Sequence, residues 1–175
     1  MLKPHQFHFG VSNTDAYQPG PLGIISFSDR LTDYVAQSLS DRGMGQSLMV
    51  SLGNDSFIGA SLHDWLPVLA ANADTHYILV LGLLYGDRHE AMLKFKQSRK
   101  KGSGKPVIFY ALGLSTPLAH LPTNAQDIVI DQLGHRPDGN LAIADKINQL
   151  QEAGVTVVQN IEQLIHTMKN LTEAS

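Results

Sequence analysis

Between a short apolar run and a helical pattern, the segment Ser26-Phe27-Ser28-Asp29-Arg30 sets two hydroxyls, a carboxylate and a guanidinium within five positions. Hydroxyls beside the unpaired N–H groups of a helix N-terminus can hold a phosphate, so Ser26, Ser28, Asp29 and Arg30 form a candidate phosphate turn. The same N–H groups can instead be capped by Ser28 or Asp29, and a carboxylate there competes with any bound anion. A second loop, Gly53-Asn54-Asp55-Ser56-Phe57-Ile58-Gly59, follows the next apolar run. Turn chemistry accounts for Gly53, Asn54, Asp55 and Gly59, and the loop is also placed to meet a substrate. Eight histidines are scattered without an HExxH pattern, and there is no cysteine, so no metal site is expected. His120 and His135 lie in a long Pro-, Gly- and Asp-rich connection. A histidine on such a loop can serve as a nucleophile or simply be solvated. Six of the 13 Lys and Arg residues fall between Lys94 and Lys105, which reads as a solvated helix end complementing the helix dipole.

The elements that must carry these loops follow from apolar periodicity. Leu22–Ser26, Leu48–Leu52, Tyr77–Leu84, Val107–Leu112 and Val155–Val158 read as five short strands covered on both faces. Helices are expected after Asp29, after Ser61, over 87–97, over 142–153 and after Asn160. Pro67 interrupts the second helical pattern. Strands alternating with helices predict an α/β, flavodoxin-like three-layer fold. It would have a five-stranded parallel sheet ordered 2-1-3-4-5 and helices on both faces. Ile24, Val50, Leu79, Ile108 and Val157 should be buried in that sheet. Ligands of such folds bind past the carboxyl ends of the strands, where the loops after Ser26 and Leu52 lie. Residues 1–19 are polar and read as an N-terminal arm, with one domain over 20–175.

With 175 residues, 43% hydrophobic and 17% charged, the chain has the composition of a globular domain rather than a disordered one. A net charge of −3 gives no electrostatic reason to expect nucleic acid or an anionic membrane. No apolar run reaches the length of a spanning helix, and the first residues lack a signal core, so a cytoplasmic setting is expected. There is no P-loop lysine motif and no GxGxxG. Ser26 and Leu81 stand where a response regulator needs carboxylates.

The stretch from Gly20 to Asp64 resembles the second, flavodoxin-like domain of the succinyl-CoA synthetase α subunit, shared by NDP-forming acyl-CoA synthetases and ATP-citrate lyase. The residues that carry this likeness are Gly20-Pro-Leu-Gly-Ile-Ile-Ser-Phe-Ser28, Leu31-Thr32, Gly43-Met-Gly-Gln-Ser47, Val50-Ser-Leu-Gly-Asn-Asp55, Gly59 and Asp64. Lys105-Pro-Val-Ile and the Lys146–Val155 helix–strand ending extend it to roughly residues 15 to 171. The resemblance implies ligation of a carboxylic acid to CoA, driven by a nucleoside triphosphate through an acyl phosphate and a phosphohistidine. It implies that Ser26 and Ser28 match the family's phosphate turn, with Asp29 in the place of its glycine. Where the family has a glutamate after the third strand, this sequence reads Leu81-Gly-Leu-Leu-Tyr-Gly86. Ala119-His120-Leu121 and Gly134-His135-Arg136 stand in the region of the family's histidine loop. The CoA-binding Rossmann domain and the ATP-grasp domain of such enzymes are absent from this sequence. The resemblance therefore implies that the chain alone binds no cofactor and that CoA and nucleotide belong to an assembly. Its partners would be CoA-binding and ATP-grasp subunits, or further copies of itself. Two other readings stay open: a catalytically degenerate member used for assembly or regulation, and an independent flavodoxin-like binder of a small ligand.

Overall fold

The computed structural model describes residues 1–10, 12–53, 59–84, 88–98, 104–112 and 139–173, with the side chains of 139–142 left aside. In chain order the elements are β1 (Leu2–Lys3), β2 (Phe7–His8), a 3-10 turn (Thr14–Ala16), β3 (Pro19–Ser26), α1 (Asp29–Ser40) and β4 (Gln46–Ser51). Then come α2 (Leu62–Ala71), β5 (Tyr77–Leu83), α3 (Arg88–Gln97), β6 (Val107–Leu112), α4 (Gly139–Glu152), β7 (Val155–Val158) and α5 (Ile161–Glu173).

One sheet joins all seven strands in the order β2-β1-β4-β3-β5-β6-β7. This corrects the expectation of five strands. The pairs β4–β3, β3–β5, β5–β6 and β6–β7 are parallel, and these five strands follow the 2-1-3-4-5 order. The two added strands form an antiparallel hairpin from the first ten residues, docked on β4 through Leu2 opposite Met49. Two-residue strands present no period to read, so nothing in the sequence separates this hairpin from an arm.

Alternation along each strand divides the core into two layers, as period-two geometry requires. Ile24, Leu79, Leu81 and Ile108 face α1 and α5, meeting Val35, Leu39, Leu164 and Met168. Ile25, Val50, Val80 and Phe109 face the other way, toward Leu66 and Leu69 of α2, Met92 of α3 and Leu150 of α4. Val157 is half-buried rather than buried, because β7 is the edge strand. Pro67 lies inside α2 without ending it, since the helix continues to Ala71. A proline there removes a single helical N–H donor.

Two features fix the start of β3. A Cβ on Gly20 would lie 2.4 Å from the carbonyl carbon of Gly45, and one on Gly45 would lie 2.2 Å from the Pro19 oxygen. The chains at this bulged crossing touch backbone to backbone, which no side chain allows. Tyr17 then ties the preceding turn to α1: its buried hydroxyl donates to Asp33 Oδ1 at 2.7 Å. Burial, with the adjacent Asp33 carboxylate, pushes that phenol well above the ordinary tyrosine range.

In the basic stretch, exposed Lys94 lies in the last turn of α3 as a solvated helix end requires, whereas Lys105 is tied elsewhere. Lys105 Nζ donates to the carbonyls of Leu69 and Asn72, at the C-terminal end of α2 rather than of its own preceding helix. Lys94 pairs with Glu90 one turn earlier on α3 at 3.2 Å. Arg99, Lys100 and Lys101 lie outside the described residues.

Candidate functional site

β3 is central, with β4 on one side and β5 on the other, so the chain changes direction across the sheet at its carboxyl end. This switch point opens a crevice in doubly wound folds, and the Ser26–Arg30 turn occupies it. Ser26 ends β3 and is fully buried. Its Oγ accepts from the Ser28 N–H and donates to the Ser28 carbonyl, both at 3.1 Å. That pair of bonds folds the backbone tightly between strand and helix.

Ser28 is the N-cap of α1, with extended backbone and no hydrogen bond from its side chain to the helix. Its carbonyl accepts from Thr32, through the N–H at 3.0 Å and the hydroxyl at 2.6 Å. Asp29 is the first helical residue, half-buried, while Ser28 and Arg30 are exposed. The turn thus brings a hydroxyl, a helix N-terminus and a guanidinium to one edge, with a carboxylate beside them. Such an arrangement can hold an anion through N–H donors and dipole, and Asp29 opposes it by like charge.

Two residues not singled out from the sequence stand out at the start of α3, and the first of them joins this edge. Arg88 opens α3 and is 6% exposed. Its Nη1 donates to the Leu83 carbonyl at 3.1 Å, and its guanidinium lies 3.6 Å from the centre of the Phe27 ring. Phe27 is the residue between the two serines, and its N–H donates to the Leu81 carbonyl at 3.2 Å. Gly82 makes this stack possible: a Cβ there would meet Phe27 Cδ2 at 2.9 Å and Arg88 Nη1 at 3.4 Å. A cation at a helix N-terminus runs against the dipole, and that misplacement is the signal by which Arg88 stands out in the sequence. The second residue is His89, 8% exposed, whose buried Nε2 has no hydrogen-bond partner among the described residues. Burial, aided by the positive charge of Lys146, holds its imidazole below the ordinary histidine range, against Glu90 and a hydrogen bond with Gln149. The ring is a neutral one held between α3 and α4.

At the end of β4, the Leu52 N–H donates to the Ser26 carbonyl at 2.8 Å, which aligns the second loop with the first. Gly53 and Gly59 border that loop, while Asn54 and Asp55 lie outside the described residues. Gly59, Ala60 and the half-buried Trp65 line a cavity of about 270 Å³ with Val50, Leu52 and Met1. Asp64 accepts from both the N–H and the hydroxyl of Ser61 at 2.8 and 2.7 Å, capping α2. Those bonds hold its carboxyl below the usual carboxylate range. His120 and His135 lie outside the described residues. Among the described residues no cluster of three acidic or histidine side chains is placed to bind a metal, and no helix is long and apolar enough to cross a membrane.

Comparison with known proteins agrees with this architecture. The α subunit 2 of the ADP-forming succinate–CoA ligase of Archaeoglobus fulgidus is 28% identical over 158 residues, covering 90% of this chain and 51% of that protein. The α subunit of malate–CoA ligase from Methylorubrum extorquens is 28% identical over 158 residues, covering 90% of this chain and 50% of its own length. The chain therefore spans about half the length of these relatives. Among solved structures, ATP citrate lyase of Methanosaeta concilii, in complex with (3S)-citryl-CoA, superposes with a TM-score of 0.63 at 20% identity. That match covers 86% of this chain and 25% of the lyase, and it speaks to the fold alone. The family model described as the succinyl-CoA ligase like flavodoxin domain matches residues 19–171, and the chain belongs to that family.

Proposed function

We propose that this chain is the flavodoxin-like component of an NDP-forming acyl-CoA ligase, completed by partner chains that bind CoA and supply an ATP-grasp nucleotide site. The observation that carries this reading is the family match over residues 19–171, with the Ser26–Arg30 turn at the sheet's switch point. In that role the α1 N-terminus, with Ser26, Ser28 and Arg30, receives a phosphoryl group, and the Gly53–Gly59 loop meets the acyl substrate. The phosphoryl acceptor would come from the connection that holds His120 and His135. One domain over residues 20–175, in a cytoplasmic setting, belongs to the same reading. CoA and nucleotide are substrates of the assembly, because transfer requires all reactants to be held together in one site.

A second reading has its own observation in favour. Asp29 sits at the helix start where an anion would bind, and Leu83 and Leu84 follow Gly82 without a carboxylate. A member so altered would serve assembly or regulation without turnover.

The test is capture of the tagged chain from its native cell, followed by assay of the captured assembly with a nucleoside triphosphate, CoA and short carboxylic acids. Co-purification of a CoA-binding or ATP-grasp chain with thioester formation supports the ligase. Co-purification without turnover favours the second reading. Capture of neither chain, or thioester formation by the purified chain alone, overturns the proposal.

A further inference from the structure

We infer that the acid this chain takes is a short monocarboxylic acid with an apolar tail, and that the tail sits in the cavity at the carboxyl end of β4. The inference rests on the ligase reading above and names the substrate class which that reading leaves open. The cavity measures about 270 Å³ and is bordered by Leu52 and Gly59, at the two ends of the second loop. At about 30 Å³ per water this is room for roughly nine waters, below the roughly 300 Å³ at which pockets for drug-sized ligands begin. An acyl tail of a few carbons fits it.

The cavity lies beside the phosphate turn. Val50 belongs to the core layer facing α2, and Leu52 and Trp65 pack against that layer. These three, with Gly59 and Ala60, form the walls. Ser51, between Val50 and Leu52, stands opposite Ser26 in the parallel register of β3 and β4. The Leu52 N–H donates to the Ser26 carbonyl at 2.8 Å. Adjacent strands lie about 4.8 Å apart, so the cavity is one strand away from the turn. An acid whose tail lies against Leu52 and Trp65 can therefore carry its carboxylate to the Ser26–Arg30 edge.

Charge then selects among acids. Succinate and malate, the acids of the two ligases compared above, carry a second carboxylate. A carboxylate moved into apolar surroundings without a partner is strongly disfavoured. Between Arg42 and Arg88 the sequence contains no Lys or Arg. His63 is exposed and lines a different cavity, with Glu90 and Lys94. His76 precedes β5, at the opposite end of the sheet. The N-terminus of α2 follows Ala60, but Asp64 already accepts from the Ser61 N–H and hydroxyl there and adds a negative charge of its own. The one charged group among the lining residues is the Met1 ammonium, which donates to the Phe9 carbonyl at 2.8 Å. An alkyl tail needs no cation and buries apolar surface against Trp65.

Trp65 is the chain's single tryptophan, so its fluorescence reads the cavity directly. The full chain should show a saturable change in emission with butyrate and none with succinate at equal concentration and ionic strength. In the assembly captured with the tagged chain, kcat/KM for butyrate should exceed that for succinate at least about tenfold. Ala60→Arg, which sets a cation in the wall, should narrow or reverse that ratio. Ala60→Leu, which fills the cavity without a charge, should blunt the emission response to butyrate and gain nothing on succinate. Emission that ignores butyrate, or that responds equally to succinate, overturns the inference. An assembly that ligates succinate as well as butyrate also overturns it, while the ligase reading stands. An assembly that ligates no acid overturns the ligase reading instead, and Trp65 emission then decides alone whether the cavity selects apolar acids.

Discussion

Replacing Arg88 with methionine isolates what the buried guanidinium does at the sheet edge. Methionine keeps an unbranched apolar stem, so the space beside Phe27 stays largely filled. The losses include the contact of the cation over the Phe27 ring at 3.6 Å and the hydrogen bond to the Leu83 carbonyl at 3.1 Å. A desolvated cation–π contact contributes about 1–2 kcal/mol. A buried carbonyl that loses its charged donor costs about 1–3 kcal/mol. The two share one group and are not additive, so we expect a loss of about 2–3 kcal/mol. For a chain of this length each kcal/mol moves the melting temperature by about 2–4 °C, so Arg88→Met should melt about 4–12 °C below the parent. Lysine retains the charge and a donor but not the flat face, and Arg88→Lys should fall between the two. Differential scanning calorimetry at neutral pH reads both variants. A shift under 1 °C in Arg88→Met, or a lysine variant as stable as the parent, would show that the planar stack contributes nothing.

Asp29→Gly should bind phosphate or sulfate more tightly than the parent by about 1 kcal/mol, the scale of one charge at a helix end, as read by calorimetry at low salt; equal or weaker binding would retire the phosphate reading of the turn. Gly82→Ala puts a methyl 2.9 Å from Phe27 Cδ2, and chemical denaturation should show a loss of about 1–3 kcal/mol from overpacking, with no loss if the ring can yield freely. His89 titrates lower in the folded chain than in the unfolded one, chiefly through burial and then through Lys146. The unfolded chain therefore binds more protons as the pH drops through about 6.5, and stability falls from there until the lower folded value is passed. His89→Gln should show a smaller loss between pH 7.5 and 5.5 than the parent in urea titrations, and parallel pH profiles would rule out His89 as the source.

The parallel framework was legible because its strands are apolar runs punctuated by glycine and proline. Ile24, Val50, Leu79 and Ile108 all proved buried, whereas Val157 is half-buried because edge position depends on strand order, which local sequence does not encode. The hairpin was illegible for a related reason. It is tied to the core by Leu2, and with Pro4 only two of its residues are buried, too few to show a period. The turn at Ser26 was visible as a run of polar side chains after a strand. The stack behind it was not, because Phe27, Gly82 and Arg88 are 55 and 6 residues apart along the chain and meet only once β3 and β5 pair. His89 carries no motif at all; its unpartnered nitrogen follows from how α3 lies against α4.

Asp29 is where the two readings of this chain divide, and the structure sharpens the division. Asp29, the first residue of α1, already complements the dipole of that helix. Yet Arg88 is held against the dipole of its own helix, on the ring of the residue two places before Asp29. Burying a guanidinium is costly unless its environment repays it, and here the repayment comes from Leu83 and Phe27, on the side of the turn facing β5. Positive charge at this edge favours an anion, and the carboxylate of Asp29 moderates it. The phosphate affinities of Asp29→Gly and Arg88→Met should therefore move in opposite directions. Movement in the same direction would mean that the two charges act on separate parts of the surface.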